Sequence, residues 1–309
     1  MELVSVKNLK KYFPLKRGLV SQTGLVKAVD GIDFDIKTGK TLGLVGESGS
    51  GKTTVGRLIL RLIEPTEGKI YFEGKDLTTL SNSQLRILRR KMQLVFQDPY
   101  SSLSPRYKIG KIIEEPLIIH KLGSKKQREK RVEQLLELVG LEPNFKNKYP
   151  HEFSGGQRQR IGICRALASS PSFIVADEPV SSLDVSVQAQ IINLFLELQE
   201  KFNLTYLFIS HDLSVVRHIS DGVAIMYSGQ IVEMGETEEI YHHPLHPYTM
   251  LLLESTSFRK SESYSDANSH LILGCSFYPR CHQKKEKCRT NRPELKKIDA
   301  RRKIRCFLY

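Results

Sequence analysis

Gly46-Glu47-Ser48-Gly49-Ser50-Gly51-Lys52-Thr53 is the stretch that decides the fold, because it fits the pattern G-x-x-x-x-G-K-[ST] of a phosphate-binding P-loop. The apolar segment 41–45 before it is typical of a buried strand, and segment 54–63 after it has the pattern of a helix that ends before Pro65. Glycines let the backbone wrap around a polyphosphate, so that N–H groups and the helix N-terminus point at negative charge. The alternative is a chance glycine-rich turn between a strand and a helix, and both flanks argue against it. The stretch therefore predicts a site for a nucleoside triphosphate.

The chemistry of the loop assigns individual roles. Lys52 is expected to reach the β- and γ-phosphates, and the Thr53 hydroxyl is expected to hold Mg²⁺. The other nucleotide contacts predicted in this stretch are Gly46, Glu47, Ser48, Gly49, Ser50, Gly51 and Thr54.

The composition is that of an ordinary soluble protein. The chain has 309 residues, of which 40% are hydrophobic and 26% charged, so it can form one large or two ordinary domains. Its longest apolar runs, such as 250–253, are far shorter than the ~20 residues that cross a bilayer. The N-terminus lacks the basic-then-apolar pattern of a secretory signal. We therefore expect the chain to stay in the cytosol.

Hydrophobic periodicity divides the chain into regions. Residues 3–9 alternate like an edge strand, and 26–36 look like a strand, a turn and a second strand. Helical spacing without strands from about 101 to 170 predicts an inserted helical subdomain, and the polar segment 258–270 predicts a linker. These patterns give one nucleotide-binding domain over 1–255, and a linker with a cysteine-rich basic extension over 256–309. Further strands are predicted at 68–74, 92–96, 173–176, 206–209 and 223–226, and helices at 85–90, 109–120, 125–139, 157–168 and 187–201.

Polar groups follow several of the predicted strands, where open α/β sheets bind their ligands. Asp177 is the carboxylate expected to hold Mg²⁺, and Glu178 is the candidate general base, with a helix-capping acid as its alternative. Gln97 offers an uncharged oxygen to Mg²⁺ or to the attacking water. His211 can donate an imidazole N–H to the γ-phosphate, although a lone histidine is often purely structural.

A second predicted anion site lies at Ser154-Gly155-Gly156-Gln157, about 100 residues after the P-loop. It combines a hydroxyl, two glycine N–H groups and the start of a helix. Two phosphate cradles in one chain suggest a composite site, in which each cradle serves a nucleotide held by another copy.

With the P-loop, Gln97, Asp177-Glu178, Ser181-Ser-Leu-Asp184 and His211 in this order, residues 1–255 resemble the ATP-binding cassette ATPases. The resemblance implies a head-to-tail sandwich of two ATPase domains. In it Ser154, Gly155, Gly156 and Gln157 would touch the γ-phosphate on the partner's P-loop. Tyr12 matches the aromatic residue that stacks on adenine, its alternative being a packed surface tyrosine. Phe153 stands where the family has leucine, which should not affect the anion contacts. The implied dimer-interface residues are Ser181, Leu183 and Asp184.

Three further features resemble the ATPase subunits of oligopeptide and dipeptide importers: segment 97–106, the stretch His246-Pro-Tyr-Thr249 and a cysteine-rich tail. The resemblance implies that ATP, with Mg²⁺, energises peptide import from the cytoplasmic face of the membrane. The implied partners are a second ATPase, for which the resemblance favours a paralogue, two membrane-spanning permeases and, indirectly, an extracytoplasmic solute-binding protein. Segment 97–106 would then line the groove where a permease docks. Nickel and glutathione importers have similar ATPases, so the cargo stays open.

The tail from 275 to 309 carries 12 Lys+Arg against 3 Asp+Glu, which gives it +9 of the chain's net charge of +13. Four of the five cysteines lie there, and clustered thiols in a cytosolic protein indicate metal before disulfides. The paired C-x₂₋₄-C knuckles of zinc ribbons are absent, so a [4Fe–4S] cluster is expected ahead of zinc, with free reduced thiols as the alternative. Cys164 is expected to be a small core residue. The four candidate ligands are Cys275, Cys281, Cys288 and Cys306.

The sequence thus predicts an α/β P-loop NTPase cassette with an antiparallel β subdomain, an inserted helical subdomain and a short cysteine-rich C-terminal extension. One alternative function is a soluble cassette ATPase of a non-transport complex, such as carbon–phosphorus lyase. A nucleic-acid-handling protein is disfavoured, because the chain has one cassette with only ~100 residues between its two cradles. We therefore expect no nucleic-acid partner.

Overall fold

The structure, a computed structural model, describes residues 1–17, 22–255, 273–299 and 301–309. The predicted linker 258–270 lies outside the described residues. The chain divides into two compact units. Unit 1 comprises Met1–Lys37, Thr41–Thr78 and Ser210–Tyr309, and unit 2 comprises Thr38–Lys40 and Thr79–Ile209.

The strands and helices are numbered in chain order. The strands are β1 Glu2–Arg17, β2 Gln22–Lys37, β3 Thr41–Val45, β4 Glu67–Phe72, β5 Lys75–Asp76, β6 Met92–Val95, β7 Phe173–Asp177, β8 Thr205–Ser210, β9 Gly222–Tyr227, β10 Gln230–Glu236, β11 Lys296–Lys297 and β12 Lys303–Ile304. The helices are α1 Lys52–Ile59, α2 Asn82–Arg89, α3 Pro99–Ser102, α4 Ile109–Ile119, α5 Lys125–Leu138, α6 Gly155–Leu167, α7 Val185–Phe202, α8 Leu213–Ile219, α9 Thr237–His242, α10 Pro247–Ser255 and α11 Lys287–Thr290. None of the helices in the described ranges has the length and apolarity to span a bilayer.

Unit 1 contains a four-stranded antiparallel sheet in the order β2-β1-β4-β5. Alternate residues of β1, such as Val4 and Val6, are fully buried, because successive side chains of a strand point to opposite faces. Two predictions are wrong here. Segment 3–9 belongs to an inner strand rather than an edge strand, and 26–36 lies within the single strand β2. Alternation reveals which face a residue occupies, but not how many neighbours its strand has.

A second group of unit 1 strands runs in the order β11-β12-β10-β9-β3. β3 pairs with β9 in parallel, and all five of its residues are buried, as expected for a parallel strand covered on both faces. β12 lies in the C-terminal extension and pairs with β10, with Ile304 opposite Glu233. The extension therefore continues a sheet of unit 1.

Unit 2 contains the parallel strands β8-β7-β6, and β7 and β8 are buried along their whole length. Residues 96–172, all of which the structure describes, form helices and no strand. Three unit 2 helices, α2, α5 and α6, begin with the same S-x-x-Q capping box. In each, the serine hydroxyl accepts a backbone N–H of the first turn and the glutamine side chain reaches back, so free N–H groups at the helix start are satisfied.

Candidate nucleotide-binding site

The P-loop of unit 1 joins the end of β3 to the start of α1, as its sequence predicts. Its glycines are required either because neighbouring backbone atoms leave no room for a Cβ or because the backbone φ is positive. A Cβ at Gly46 would lie 2.1 Å from the Met226 carbonyl oxygen, and one at Gly51 would lie 2.0 Å from the Ala28 carbonyl oxygen. Gly49 has open space but a φ of 80°, which L-residues rarely adopt. The wrapped backbone is therefore fixed by its neighbours in unit 1.

Lys52 is 4% exposed and is held over the loop from inside. Its Nζ donates to the carbonyl oxygens of Gly46 at 2.7 Å and Glu47 at 2.8 Å. The ammonium thus puts a positive charge at the centre of the loop, where a triphosphate would bring negative charge. The remaining loop residues are Ser48 and Gly49, which are exposed, Ser50, which is buried, and Thr53 and Thr54, which are half-buried in the first turn of α1.

Both the side chain and the backbone of Glu47 form hydrogen bonds with residues that are distant in the sequence. Arg280 makes a bidentate pair with its carboxylate, at 2.7 and 2.8 Å, and this pairing raises the pKa of Arg280 above its usual range. The Glu47 N–H donates to the Tyr248 hydroxyl at 3.0 Å. The sequence analysis missed both partners, because they lie more than 200 residues away along the chain.

Tyr12 lies half-buried on β1 in the same unit. Its hydroxyl donates to the Asp30 carboxylate at 2.5 Å, and Asp30 also accepts from Arg292 at 2.9 Å. Burial and the bond to Asp30 raise the pKa of Tyr12. The Lys27 ammonium lies 5.5 Å from the centre of the Tyr12 ring. The ring is therefore held by charged neighbours that the sequence analysis also missed. His211, the other predicted unit 1 residue, directly follows β8 and is exposed.

In unit 2 the structure brings two predicted catalytic residues together. β6 and β7 pair in parallel with Val95 opposite Ala176, so Gln97 and Glu178 emerge at the same edge. The Gln97 amide donates to the Glu178 carboxylate at 3.2 Å. Asp177, the last residue of β7, is buried, and its carboxylate is the hard oxygen ligand that Mg²⁺ prefers.

The predicted second cradle is the start of α6. The Ser154 hydroxyl accepts the Gln157 N–H at 3.3 Å, and the Gln157 side chain accepts the Ser154 N–H at 3.0 Å. Both side chains thus cap the helix, and the Ser154 hydroxyl hydrogen can still donate outwards. Gly156 is required by packing, because a Cβ there would lie 2.5 Å from Val187. Gly155 is exposed beside it.

The predicted dimer-interface residues precede α7. Ser181 is exposed, and its hydroxyl donates to the Glu178 carbonyl at 3.1 Å. Leu183 is half-buried, with its side chain 3.2 Å from where a Cβ of Gly155 would lie. Asp184 is exposed at the N-cap of α7 and makes no capping hydrogen bond there. Unit 2 therefore gathers the start of α6 and the start of α7 into one surface.

The four tail cysteines are half-buried free thiols, whereas Cys164 is fully buried, as expected of a core residue. Burial raises the pKa of Cys275 to about 11. Across the described part of the chain, however, no three His, Cys, Asp or Glu side chains form a group that could hold a metal ion. The four thiols therefore do not converge into a ligand set in the structure.

In the stretch His246-Pro-Tyr-Thr249, the residues His246, Tyr248 and Thr249 are buried. His246 and Leu245 donate their N–H groups to the Glu233 carboxylate at 2.9 Å each, and Arg302 of the extension pairs with the same carboxylate at 2.5 Å. Tyr248, two residues on, reaches Glu47 as described above. This stretch therefore connects the extension with the P-loop.

The sequence of this chain matches known protein families and characterised relatives. The profile described as "ABC transporter" matches residues 29–181, and the profile described as "Oligopeptide/dipeptide transporter, C-terminal region" matches residues 232–288. The chain is 51% identical to the oligopeptide transport ATP-binding protein AppF of Bacillus subtilis (strain 168), over 99% of this chain and 97% of that protein. It is 48% identical to the dipeptide transport ATP-binding protein DppF of Haemophilus influenzae, over 99% and 96% respectively. The chain therefore belongs to the ABC transporter family, in its oligopeptide/dipeptide group of ATP-binding proteins.

Solved structures agree with this assignment. The "dimeric structure of a post-hydrolysis state of the ATP-binding cassette MJ0796 bound to ADP and Pi" superposes with a TM-score of 0.68 at 32% identity, covering 76% of this chain and 98% of that one. CbiO1 of Clostridium perfringens, part of the ABC transporter complex CbiONQ, superposes with a TM-score of 0.69 at 26% identity, covering 78% and 91%. The fold is thus the ABC cassette form of the P-loop NTPases.

Proposed function

We propose that this chain is the ATP-binding and ATP-hydrolysing subunit that energises import of peptides across the cytoplasmic membrane. The observation that carries the proposal is the 51% identity, over nearly the whole of both chains, to an oligopeptide transport ATP-binding protein. The names of the relatives support transport over the alternative of a soluble component of a non-transport complex.

Each predicted residue has its own role in this proposal. In unit 1 the P-loop from Gly46 to Thr54 binds the phosphates, Tyr12 stacks on adenine, and His211 donates to the γ-phosphate. In unit 2 Glu178 accepts the proton of the attacking water, and Gln97, bonded to it, orients that water. Thr53, Gln97 and Asp177 supply the oxygen ligands that would hold Mg²⁺.

A second ATPase domain completes the site. Ser154, Gly155, Gly156 and Gln157 offer helix-start N–H groups and a hydroxyl to the γ-phosphate on the partner's P-loop. Ser181, Leu183 and Asp184 line the contact between the two subunits. The dimeric form of the similar cassette MJ0796, with ADP and phosphate bound, supports this arrangement. The partner subunit is a paralogous ATPase.

The chain works at the cytoplasmic face of the membrane, with two permeases and, through them, a solute-binding protein. Exposed aromatic side chains at Phe96, Tyr100 and Tyr107 support permease docking near segment 97–106, because such side chains are enriched in protein interfaces. In this proposal the antiparallel sheet is a subdomain, about 101–170 is the inserted helical subdomain, and the extension follows the ATPase domain of 1–255.

The proposal also includes a [4Fe–4S] cluster on Cys275, Cys281, Cys288 and Cys306. The presence of four free thiols in the extension supports it, and it requires the thiols to lose their protons and converge. Protein purified anaerobically should contain iron and absorb visible light, and Cys281→Ser should lose both. A colourless, iron-free native preparation would contradict this part.

Glu178→Gln tests the central proposal. The variant keeps the hydrogen-bonding shape but cannot accept a proton, so ATP hydrolysis should fall by ~10²–10⁴ while ATP binding persists. With the paralogous subunit supplied, the variant should form a stable ATP-dependent dimer, measured by size-exclusion chromatography with light scattering. Normal turnover would refute the assignment of Glu178 as the base. A strictly monomeric ATP-bound variant would refute the composite site.

A further inference from the structure

The C-terminal extension, residues 273–299 and 301–309 as described, reaches the nucleotide-binding residues of unit 1 through two arginines. We propose that Arg280 and Arg292 are positioning residues of the nucleotide site: Arg280 holds Glu47 of the P-loop, and Arg292 holds Asp30, which orients Tyr12. The inference rests on the proposed function, because it assumes that the P-loop and Tyr12 bind ATP.

Arg280 forms the stronger of the two links. Its guanidinium makes two parallel hydrogen bonds with the Glu47 carboxylate, at 2.7 and 2.8 Å, and its side chain is only 14% exposed. Bidentate arginine–carboxylate pairs fix geometry as well as charge. The Glu47 side chain is 39% exposed, so the geometry of the pair is defined by its two short parallel hydrogen bonds rather than by burial.

The charge of Glu47 explains why the P-loop needs this partner. Glu47 is a carboxylate in the middle of a loop that must accept a triphosphate, and an unpaired negative charge there would repel the phosphates. Arg280 cancels that charge and keeps the carboxylate turned towards the extension. Lys52 is then the dominant charge over the loop, with its Nζ on the Gly46 and Glu47 carbonyls.

Arg280 is itself held in place by an aromatic cluster. Phe277, three residues before it, is 2% exposed and packs against Tyr227 and Tyr248, with ring centres 5.3 and 5.4 Å apart. The Arg280 guanidinium lies 5.8 Å from the rings of both Tyr227 and Phe277. Tyr248 of this cluster also accepts the Glu47 N–H. The extension therefore secures the side chain of Glu47 directly and its backbone through Tyr248.

Arg292 forms the second link, at the predicted adenine contact. It donates to one Asp30 oxygen at 2.9 Å, and the Tyr12 hydroxyl donates to the other at 2.5 Å. Asp30 is 12% exposed, and its N–H donates to the Gly229 carbonyl at 2.8 Å, so it cannot shift freely. Losing Arg292 would remove one of the contacts that fix the Asp30 carboxylate, leaving Tyr12 and Lys27 beside it, and would loosen the Tyr12 ring.

Loss of the Arg280 contact and loss of the Arg292 contact are expected to affect ligand binding differently. ATP and inorganic triphosphate are compared as ligands of the full-length native chain and its variants, by competition against a fluorescent ATP analogue. Arg280→Ala should weaken both ligands about tenfold, because it exposes a carboxylate to the phosphates. Arg292→Ala should weaken ATP about threefold and leave triphosphate unchanged, because triphosphate has no base to stack.

A rescue variant and a matched control separate positioning from general damage. Glu47→Gln combined with Arg280→Ala removes the unpaired charge and should recover most of the lost affinity. Arg301→Ala is the control in the same extension, because Arg301 pairs with Glu236 on an exposed surface. It should bind both ligands as the native chain does.

The outcomes are distinguishable from those of the proposed function. If the native chain fails to bind ATP, the proposed function fails. If the native chain binds ATP and folded Arg280→Ala and Arg292→Ala bind both ligands as tightly, the inference alone is overturned. If Arg280→Ala is weak and the double variant is no better, the charge argument is overturned. Unfolding temperatures of all variants establish that each is folded.

Discussion

Glu178 adopts a left-handed backbone conformation, with a φ of 45°, where β7 ends. Such a conformation costs free energy in a residue other than glycine and persists only where its surroundings fix it. Here the Glu178 N–H donates to the Ile209 carbonyl at 2.9 Å, and the Glu178 carbonyl accepts the Ser181 N–H at 3.3 Å. The strained backbone turns the carboxylate towards Gln97. A candidate base held in this way needs little rearrangement before it acts.

Alanine substitutions at two P-loop glycines distinguish the free-energy cost of a steric clash from that of a strained backbone conformation. Gly51→Ala should lower the free energy of unfolding by about 3 kcal/mol or more, because it adds a collision with the Ala28 carbonyl to a positive φ of 105°. Gly49→Ala, at a φ of 80° with open space, should cost only about 1 kcal/mol. Urea unfolding without nucleotide measures both. Equal losses would show that the contact with Ala28 does not constrain the loop.

At the scale of elements, β12 secures the extension by a short pairing with β10 and one buried ion pair. Two residues of each strand pair, which is too little backbone pairing to hold the extension alone. Arg302, just before β12, donates to Glu233 of β10, and the two side chains are 7% and 0% exposed. Arg302 also donates to the His243 carbonyl. We infer that the Arg302–Glu233 ion pair helps to hold the extension against the rest of unit 1.

A comparison of substitutions at Arg302 and at the neighbouring Arg301 tests that inference. Arg302→Met should destabilise the chain by about 3 kcal/mol, because it leaves the Glu233 carboxylate buried with only two backbone N–H donors. Arg301→Met, which removes an exposed pair with Glu236, should cost at most about 1 kcal/mol. Denaturant unfolding gives the two values. Similar costs for both variants would contradict the role assigned to the buried pair.

For the molecule as a whole, stability is coupled to pH through a buried histidine. Burial lowers the pKa of His246 from its ordinary 6.5 to about 4 in the folded chain. Above pH 6.5 the ring is neutral in both folded and unfolded chains, so it adds no pH dependence. Below that, the unfolded chain takes up a proton that the folded chain does not, so stability falls as the pH is lowered towards 4.

The expected loss from this histidine is about 3 kcal/mol between pH 6.5 and 4, since each pKa unit corresponds to about 1.4 kcal/mol. His246→Asn keeps an acceptor for the Tyr248 N–H but does not titrate, so its unfolding free energy should depend less steeply on pH over this range. An unchanged slope in His246→Asn would contradict the lowered pKa.

Local sequence was enough to predict the parts of this fold that depend on neighbours along the chain. The P-loop glycines and Lys52, the helix that starts after Ser154, and the buried strand before Asp177 are visible because turn signals and hydrophobic periodicity act within a few residues. The same rules could not place β1 correctly. Alternation gives the face that each side chain occupies, whereas the number of paired strands depends on distant segments.

The sequence was sufficient to identify a P-loop cassette and to predict which side chains would carry its chemistry, because those motifs are contiguous or directly follow predicted strands. Only the tertiary structure decided that Arg280 pairs with Glu47, 233 residues away, and that Arg292 pairs with Asp30, 262 residues away. No periodicity links such residues. Their pairing follows from the packing of the extension on the rest of unit 1, which brings each arginine within hydrogen-bond distance of a carboxylate.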